Sequence, residues 1–154
     1  MASVMQQSYN DIEHIIIDGD SKDGTIDLIN KYKKNNVKFI SEPDKGIYEA
    51  LNKGIEIATG DIIGVLHADD TFYDNRVLEN VISVFKNENH VDALSGSVVF
   101  FDSKKNNTEN RIIRSQIFKP WMFRFGFMPA HTATFIRQNV FKRCGLYDDN
   151  FKSA

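Results

Sequence analysis

Three short acidic segments hold most of the chemistry in this chain. They are Asp18-Gly19-Asp20-Ser21-Lys22-Asp23-Gly24-Thr25, Ser41-Glu42-Pro43-Asp44-Lys45-Gly46-Ile47-Tyr48 and His67-Ala68-Asp69-Asp70. Carboxylates in the first two can accept hydrogen bonds from a base or a ribose. Lys45 and the amides opening a helix near Ile47 can meet phosphate. Asp69 and Asp70 can hold a hard divalent cation, and that cation can hold phosphates. Each segment also has a plainer reading. The first is a Gly/Asp turn with a cap, the second a solvated turn, and the third a cap for the next helix. The conjunction of all three is less expected by chance than any one of them.

Each segment follows an apolar run that would position it. Residues 13–18 form a strand, with Ile15, Ile16 and Ile17 uninterrupted, as in a sheet covered on both faces. Thr25 can cap a helix with Ile26, Ile29 and Tyr32 on one face. Residues 37–40 form a second strand. The next helix has Ile47, Leu51, Ile55 and Ala58 at helical spacing, with Gly60 as its stop. Residues 62–66 form a third strand, ending on Asp69 and Asp70, and a helix follows with Val77, Leu78, Val81, Ile82 and Phe85 inward. Such alternation predicts an α/β fold with a doubly wound, mostly parallel sheet and helices on both faces. Loops after parallel strands emerge on one edge, where open α/β sheets bind ligands.

From residue 91 the pattern changes. Residues 93–101 and 111–117 flank a polar turn and read as an antiparallel pair. A short strand at 132–136 and a helix at 138–144, stopped by Gly145, complete the chain. The 154 residues bound a single domain with a nucleotide-binding part at 1–90 and a second part at 91–154. This length is enough to bury a core. A net charge of −2 gives no electrostatic case for nucleic acid. Cys144, the one cysteine, excludes an internal disulfide and fits a reducing compartment. No run reaches membrane-span length and no signal peptide is visible.

The residues resemble family 2 glycosyltransferases of the GT-A fold. Ile-Ile-Asp-Gly-Asp-Ser-Lys-Asp-Gly-Thr at 16–25 looks like that family's nucleotide-binding turn. Ser-Glu-Pro-Asp-Lys-Gly-Ile-Tyr-Glu-Ala-Leu-Asn-Lys-Gly at 41–54 is similar to the loop and helix that follow in one branch. Ala-Thr-Gly-Asp at 58–61 and Leu-His-Ala-Asp-Asp at 66–70 match the approach to its metal-binding Asp-x-Asp motif. Met-Pro-Ala-His-Thr-Ala-Thr-Phe at 128–135 looks like its acceptor-side segment.

The resemblance implies inverting transfer of a sugar from a UDP- or dTDP-sugar to a hydroxyl of a saccharide or lipid-linked acceptor, in polysaccharide or glycolipid assembly. A Mg²⁺ or Mn²⁺ ion would stabilise the leaving diphosphate. Carried over by position, Asp18, Gly19, Asp20, Asp44, Lys45, Gly46, Asn52, His67 and Asp69 would bind the nucleotide sugar. Asp69 and Asp70 would hold the metal, and His131 would face the acceptor. It also implies a cytoplasmic enzyme, in contact with the inner face of the membrane.

The sequence departs from the family pattern at several points. His67 stands where the first carboxylate of Asp-x-Asp belongs, and imidazole suits Mn²⁺ less well than oxygen ligands do. It is therefore expected at the ribose or behind the ligands. Gly19 stands where many relatives carry a second Asp. The family's first strand and helix would precede residue 3, and its catalytic base would lie beyond Ala154. The chain thus reads as an internal fragment, with open sheet edges that invite oligomerisation and with transfer activity reduced or lost. A non-catalytic nucleotide-sugar-binding remnant and an Mg²⁺-dependent receiver-like domain are the alternatives.

Trp121, Met122, Phe123, Phe125, Phe127 and Met128, with Lys119 and Arg124, are expected to pack beneath the sheet, with a membrane or acceptor surface as the rival reading. Cys144 reads as a small buried hydrophobe, and Arg111 and Arg114 as solvated strand residues.

Overall fold

A computed structural model describes residues 1–34, 36–102, 108–115 and 119–150. The expected polar turn at 103–107, the strand end at 116–117 and the final residues 151–154 lie outside them. The order is α1 (Ala2–Met5), β1 (His14–Asp18), α2 (Thr25–Tyr32), β2 (Val37–Ser41), α3 (Ile47–Ile57), β3 (Ile62–Gly64), α4 (Val77–Asn87), β4 (Ala93–Ser95), β5 (Val98–Asp102), β6 (Thr108–Ile113), β7 (Thr134–Arg137) and α5 (Gln138–Cys144). Two 3-10 turns, Pro120–Phe125 and His131–Ala133, lie between β6 and β7.

The α/β class holds, and the sheet is divided. β1 and β2 pair in parallel from His14↔Val37 to Asp18↔Ser41, so both strands end on the same edge. β3 pairs instead with β7, antiparallel, and β7 pairs with β4. β5 and β6 pair antiparallel, but the strand expected at 93–101 is split, its first residues forming β4 against β7.

The core sits where α4 covers β7. Val81, Phe85 and Phe135 are buried, with Ile62, Phe72, Val77, Leu78, Val91 and Leu94 packed around them. Gly64 is required there. A Cβ on it would stand 2.6 Å from the Phe135 ring, so a larger residue would push that ring off β3. Arg137 ties the layers together by donating to the Val91 carbonyl at 2.8 Å and the Phe85 carbonyl at 2.9 Å. Its guanidinium lies over the Phe85 ring, 5.0 Å from the centroid.

Several expectations change. α3 ends at Ile57 rather than at Gly60, because Ala58 turns to extended backbone (φ −69°, ψ 136°). The Thr59 amide then donates to Glu13 at 2.7 Å. Tyr32 is 58% exposed rather than inward, and Cys144 is exposed rather than buried. The aromatic segment does not pack beneath the sheet: Trp121, Phe123, Phe125, Phe127 and Met128 are all more than half exposed. Among the described residues the buried hydrophobic side chains are Ile29, Ile55, Val81, Phe85 and Phe135.

His14, at the start of β1, carries a pH dependence. Its Nδ1 is buried with no hydrogen-bond partner among the described residues. Burial, with a smaller contribution from the N-terminal charge, holds its pKa below the ordinary histidine value. The folded chain therefore binds fewer protons there than the unfolded chain, whose histidine titrates near pH 6.5. Stability should fall as pH drops below about 6.5, until the lower folded-state pKa is passed. Thermal melts across pH 5–8 should show that slope, and His14→Phe should flatten it.

Candidate functional site

The first two acidic segments form one wall because β1 and β2 end side by side. Asp18, the last residue of β1, is only 7% exposed. Its carboxylate accepts from the Ser21 hydroxyl at 2.6 Å, the Ser21 amide at 3.0 Å and the Ser41 hydroxyl at 2.7 Å. These bonds, the Ser21 hydroxyl first, hold its pKa below the usual carboxylate range despite burial. Asp18 thus stays ionised and locks the turn after β1 to the end of β2. Asp20 takes a left-handed backbone (φ 64°) and pairs with Lys22 at 2.5 Å.

Gly19 and Asp44 bring the two turns into contact. A Cβ on Gly19 would lie 2.7 Å from Asp44 Oδ2. The absence of a second Asp in this turn has a physical reason: an aspartate at 19 would meet the Asp44 carboxylate. Asp44 in turn accepts from the Gly46 amide at 3.0 Å. Gly46 has φ 145°, ψ −178°, a conformation close to glycine-only, and opens α3. The Lys45 amide donates to Glu49 at 2.9 Å. The Lys45 and Gly46 amides are thus taken up within the loop, whereas the amides of the first α3 turn have no carbonyl partner within the helix.

Lys53 braces this loop, bonding Glu42 at 3.0 Å, Glu49 at 3.2 Å and the Pro43 carbonyl at 3.0 Å. Sequence reasoning missed Lys53, Glu49, Ser21 and Ser41 as supports. The spacing of Glu49 and Lys53 at i, i+4 was the available signal for one pair.

The third segment follows β3. The Asp70 amide donates to the His67 carbonyl at 3.1 Å, making a tight turn with Asp69 exposed at its tip. Neither carboxylate caps a helix, since α4 begins at Val77 with Arg76 in the capping position. His67 meets His131, Nε2 to Nε2 at 2.9 Å, which joins this turn to the segment before β7. Asn52, by contrast, is taken up in a two-way clamp. Its side-chain amide donates to the Tyr147 carbonyl at 2.8 Å and its oxygen accepts from the Tyr147 amide at 2.9 Å. Burial, with the nearby Tyr48, raises the Tyr147 pKa.

Glycosyl transferase family 2 matches residues 1–145. The chain belongs to that family. The family 2 chain is 27% identical over 153 residues to a PGL/p-HBAD biosynthesis glycosyltransferase of Mycobacterium bovis, covering 97% of this chain and 57% of that protein. It is 36% identical over 95 residues to an uncharacterized glycosyltransferase of Mycobacterium tuberculosis, covering 61% of this chain and 36% of that one. It thus spans about half or less of the length of these relatives.

Two solved structures share its fold. S. aureus TarS 1-349 aligns with a TM-score of 0.75 at 18% identity, covering 99% of this chain and 46% of TarS. The mannosyltransferase PcManGT of Pyrobaculum calidifontis, in complex with GDP-Man and Mn²⁺, aligns with a TM-score of 0.70 at 17% identity, covering 97% and 42%. At these identities the likeness is one of fold. The α/β GT-A architecture is established, and the receiver-like alternative falls.

The contact between the two turns yields an expected result. Gly19→Ala should force the flexible Asp44 carboxylate aside and break its bond to the Gly46 amide. The loss of stability should be small, of order 1 kcal/mol, and chemical denaturation of the variant beside wild type would measure it.

Proposed function

We propose that this family 2 chain binds a nucleoside-diphosphate sugar and serves its transfer to a hydroxyl acceptor in polysaccharide or glycolipid assembly. The observation that carries this reading is the wall formed by Asp18, Gly19 and Asp44 at the common edge of β1 and β2. Asp18 is held ionised to receive hydrogen bonds from the base or ribose. Lys45 and the opening amides of α3 supply positive charge for the diphosphate.

The residues present fit a divalent cation. Among the described residues, no group of three or more His, Cys, Asp or Glu side chains converges to hold a metal. A hard cation held by one or two carboxylates and completed by substrate phosphates and water needs no such group. Asp69 and Asp70, on the turn after β3 and free of helix-capping duty, would hold it. When bound, Mg²⁺ or Mn²⁺ supplies positive charge to the departing diphosphate. His67 orients the same turn from behind through His131.

The remaining finer readings follow from this one. Inversion at the anomeric carbon requires a general base that takes the proton of the acceptor hydroxyl. The exposed Trp121, Phe123, Phe125 and Phe127, with Lys119 and Arg124, supply a surface suited to a lipid-linked acceptor or to peripheral contact with the membrane's cytoplasmic face. No helix among the described residues is long and apolar enough to cross a membrane. Association through free strand edges is part of this reading.

The test is release of nucleotide from a panel of UDP-, dTDP- and GDP-sugars, with and without a hydroxyl acceptor, by this chain and by a longer form containing the family's flanking segments. Acceptor-dependent release by the longer form, and little by this chain, supports the full reading. Absence of release and of nucleotide binding from both would overturn it.

A further inference from the structure

We propose that residues 119–128 dock the chain onto an anionic membrane surface, the aromatic side chains entering the headgroup boundary and the cations meeting lipid phosphates. Charge and exposure point there independently. Residues 111–147 include seven Lys or Arg and no Asp or Glu, although the whole chain carries a net charge of −2. Inside that acid-free stretch, five large apolar side chains face solvent: Trp121, Phe123, Phe125, Phe127 and Met128. Phe125 is 70% exposed and Met128 is 73% exposed. An exposed apolar residue standing singly is ordinary, but five within eight positions, accompanied by cations, mark an interaction surface.

The segment is folded on itself rather than extended. Pro120–Phe125 is a 3-10 turn, and it ends on Gly126 in left-handed backbone (φ 74°). The Met122 amide donates to the Lys119 carbonyl at 2.8 Å, the Gly126 amide to the Phe123 carbonyl at 3.0 Å and the Phe127 amide to the Met122 carbonyl at 3.3 Å. Polar backbone groups paired in this way cost less to take out of water. The Trp121 and Phe125 rings meet edge to face, with centroids 5.9 Å apart and planes at 84°, so they present as one unit. Lys119 and Arg124 are exposed and make no ion pair among the described residues. Their aliphatic stems can lie along an apolar surface while the charged heads reach phosphate.

Charge also selects the occupant. A second copy docked through the same patch would set Lys119 and Arg124 against their own equivalents, and like-charge repulsion opposes that contact. An anionic leaflet instead offers opposite charge to the cations and an apolar layer to the aromatics, with Trp at the boundary where its ring is favoured. Met128 stands three residues before His131, whose ring meets His67 on the turn that carries Asp69. Three residues span at most about 11 Å of extended chain, so docking would hold that turn near the lipid surface. On the transferase reading, this selects a hydroxyl acceptor presented by a lipid-linked molecule. Docking itself requires neither nucleotide nor acceptor.

Trp121 is the one tryptophan, so its fluorescence reports on this segment alone. The 154-residue chain is mixed with vesicles of phosphatidylcholine, or of phosphatidylcholine with phosphatidylglycerol, and followed by co-sedimentation and by tryptophan emission. The anionic vesicles should carry the protein down and shift its emission to the blue. Neutral vesicles should bind at least about tenfold more weakly, and added salt should weaken binding to the anionic ones. Lys119→Glu with Arg124→Glu should lower the affinity at least about tenfold at unchanged melting temperature. Phe125→Ser with Phe127→Ser should do the same in a chain whose circular dichroism matches wild type, since both rings already face water. A longer form containing the family's flanking segments should bind likewise. Equal binding to both kinds of vesicle, no binding by a folded chain, or binding kept in either double variant would overturn the proposal. So would a blue shift that grows with protein concentration in the absence of lipid, which would assign the patch to a second copy, or loss of binding in the longer form, which would assign it to the chain itself. With no nucleotide in the assay, each of these results is independent of whether the chain binds a nucleotide sugar.

Discussion

Asp69→Ala is expected to abolish most of the metal-dependent part of nucleotide affinity, because the cation would lose its main carboxylate ligand. Asp69 is exposed on the tip of the turn closed by the Asp70 amide and the His67 carbonyl, so the chain should fold normally without its side chain. Surface substitutions of this kind usually change stability by less than about 0.5 kcal/mol. The loss should appear only with the cation present. Without it, wild type and variant should bind nucleotide equally and weakly. Asp70→Ala should have a smaller effect if Asp69 is the main ligand. Calorimetry with UDP, with and without Mn²⁺, reads both results. Equal Mn²⁺-dependent affinity in wild type and Asp69→Ala would remove the metal from this turn.

Phe85→Ala is expected to be the most damaging substitution to the fold. Phe85 is 2% exposed and belongs to the central cluster with Val81 and Phe135. Truncating a buried phenylalanine costs about 3–5 kcal/mol, against a total stability of about 5–15 kcal/mol for an ordinary domain. Here the margin is narrower, because among the described residues the buried hydrophobic set is Ile29, Ile55, Val81, Phe85 and Phe135. The variant would also remove the ring beneath the Arg137 guanidinium. Urea denaturation followed by circular dichroism should show a large drop in midpoint or no folded baseline. A midpoint within the error of wild type would place the core elsewhere.

Local signals in the sequence were read well where local physics decides the outcome. The run Ile15-Ile16-Ile17 gave β1, the spacing through Phe85 gave α4, and Gly145 (φ 89°) stops α5 as expected. Gly60 failed as a helix stop because Glu13, from another part of the chain, captures the Thr59 amide and lets the helix end earlier. The pairing of β3 with β7 joins residues about seventy positions apart, and no periodicity encodes such a partner.

The same distinction runs through the site. Asp18, Gly19 and Asp44 were legible as a group because β1 and β2 are parallel neighbours and their loops must emerge together. The His67–His131 contact and the Asn52–Tyr147 clamp were not, being set by tertiary packing. The aromatic segment from Trp121 was misassigned to the core because apolar composition alone does not say which side of it faces solvent. Its exposure is the strongest reason to look for an acceptor or a membrane on that side.

The central claim is that the edge shared by β1 and β2 binds a nucleoside diphosphate. The most direct measurement is calorimetric titration of UDP, dTDP and GDP into the wild-type chain, with and without Mn²⁺, on material shown by NMR to be folded. Saturable binding of at least one nucleotide, strengthened by Mn²⁺ and lost when Asp18 is replaced by Asn in a chain that remains folded, is the predicted result. A folded chain that binds none of the three, or binds equally well in Asp18→Asn, would contradict it.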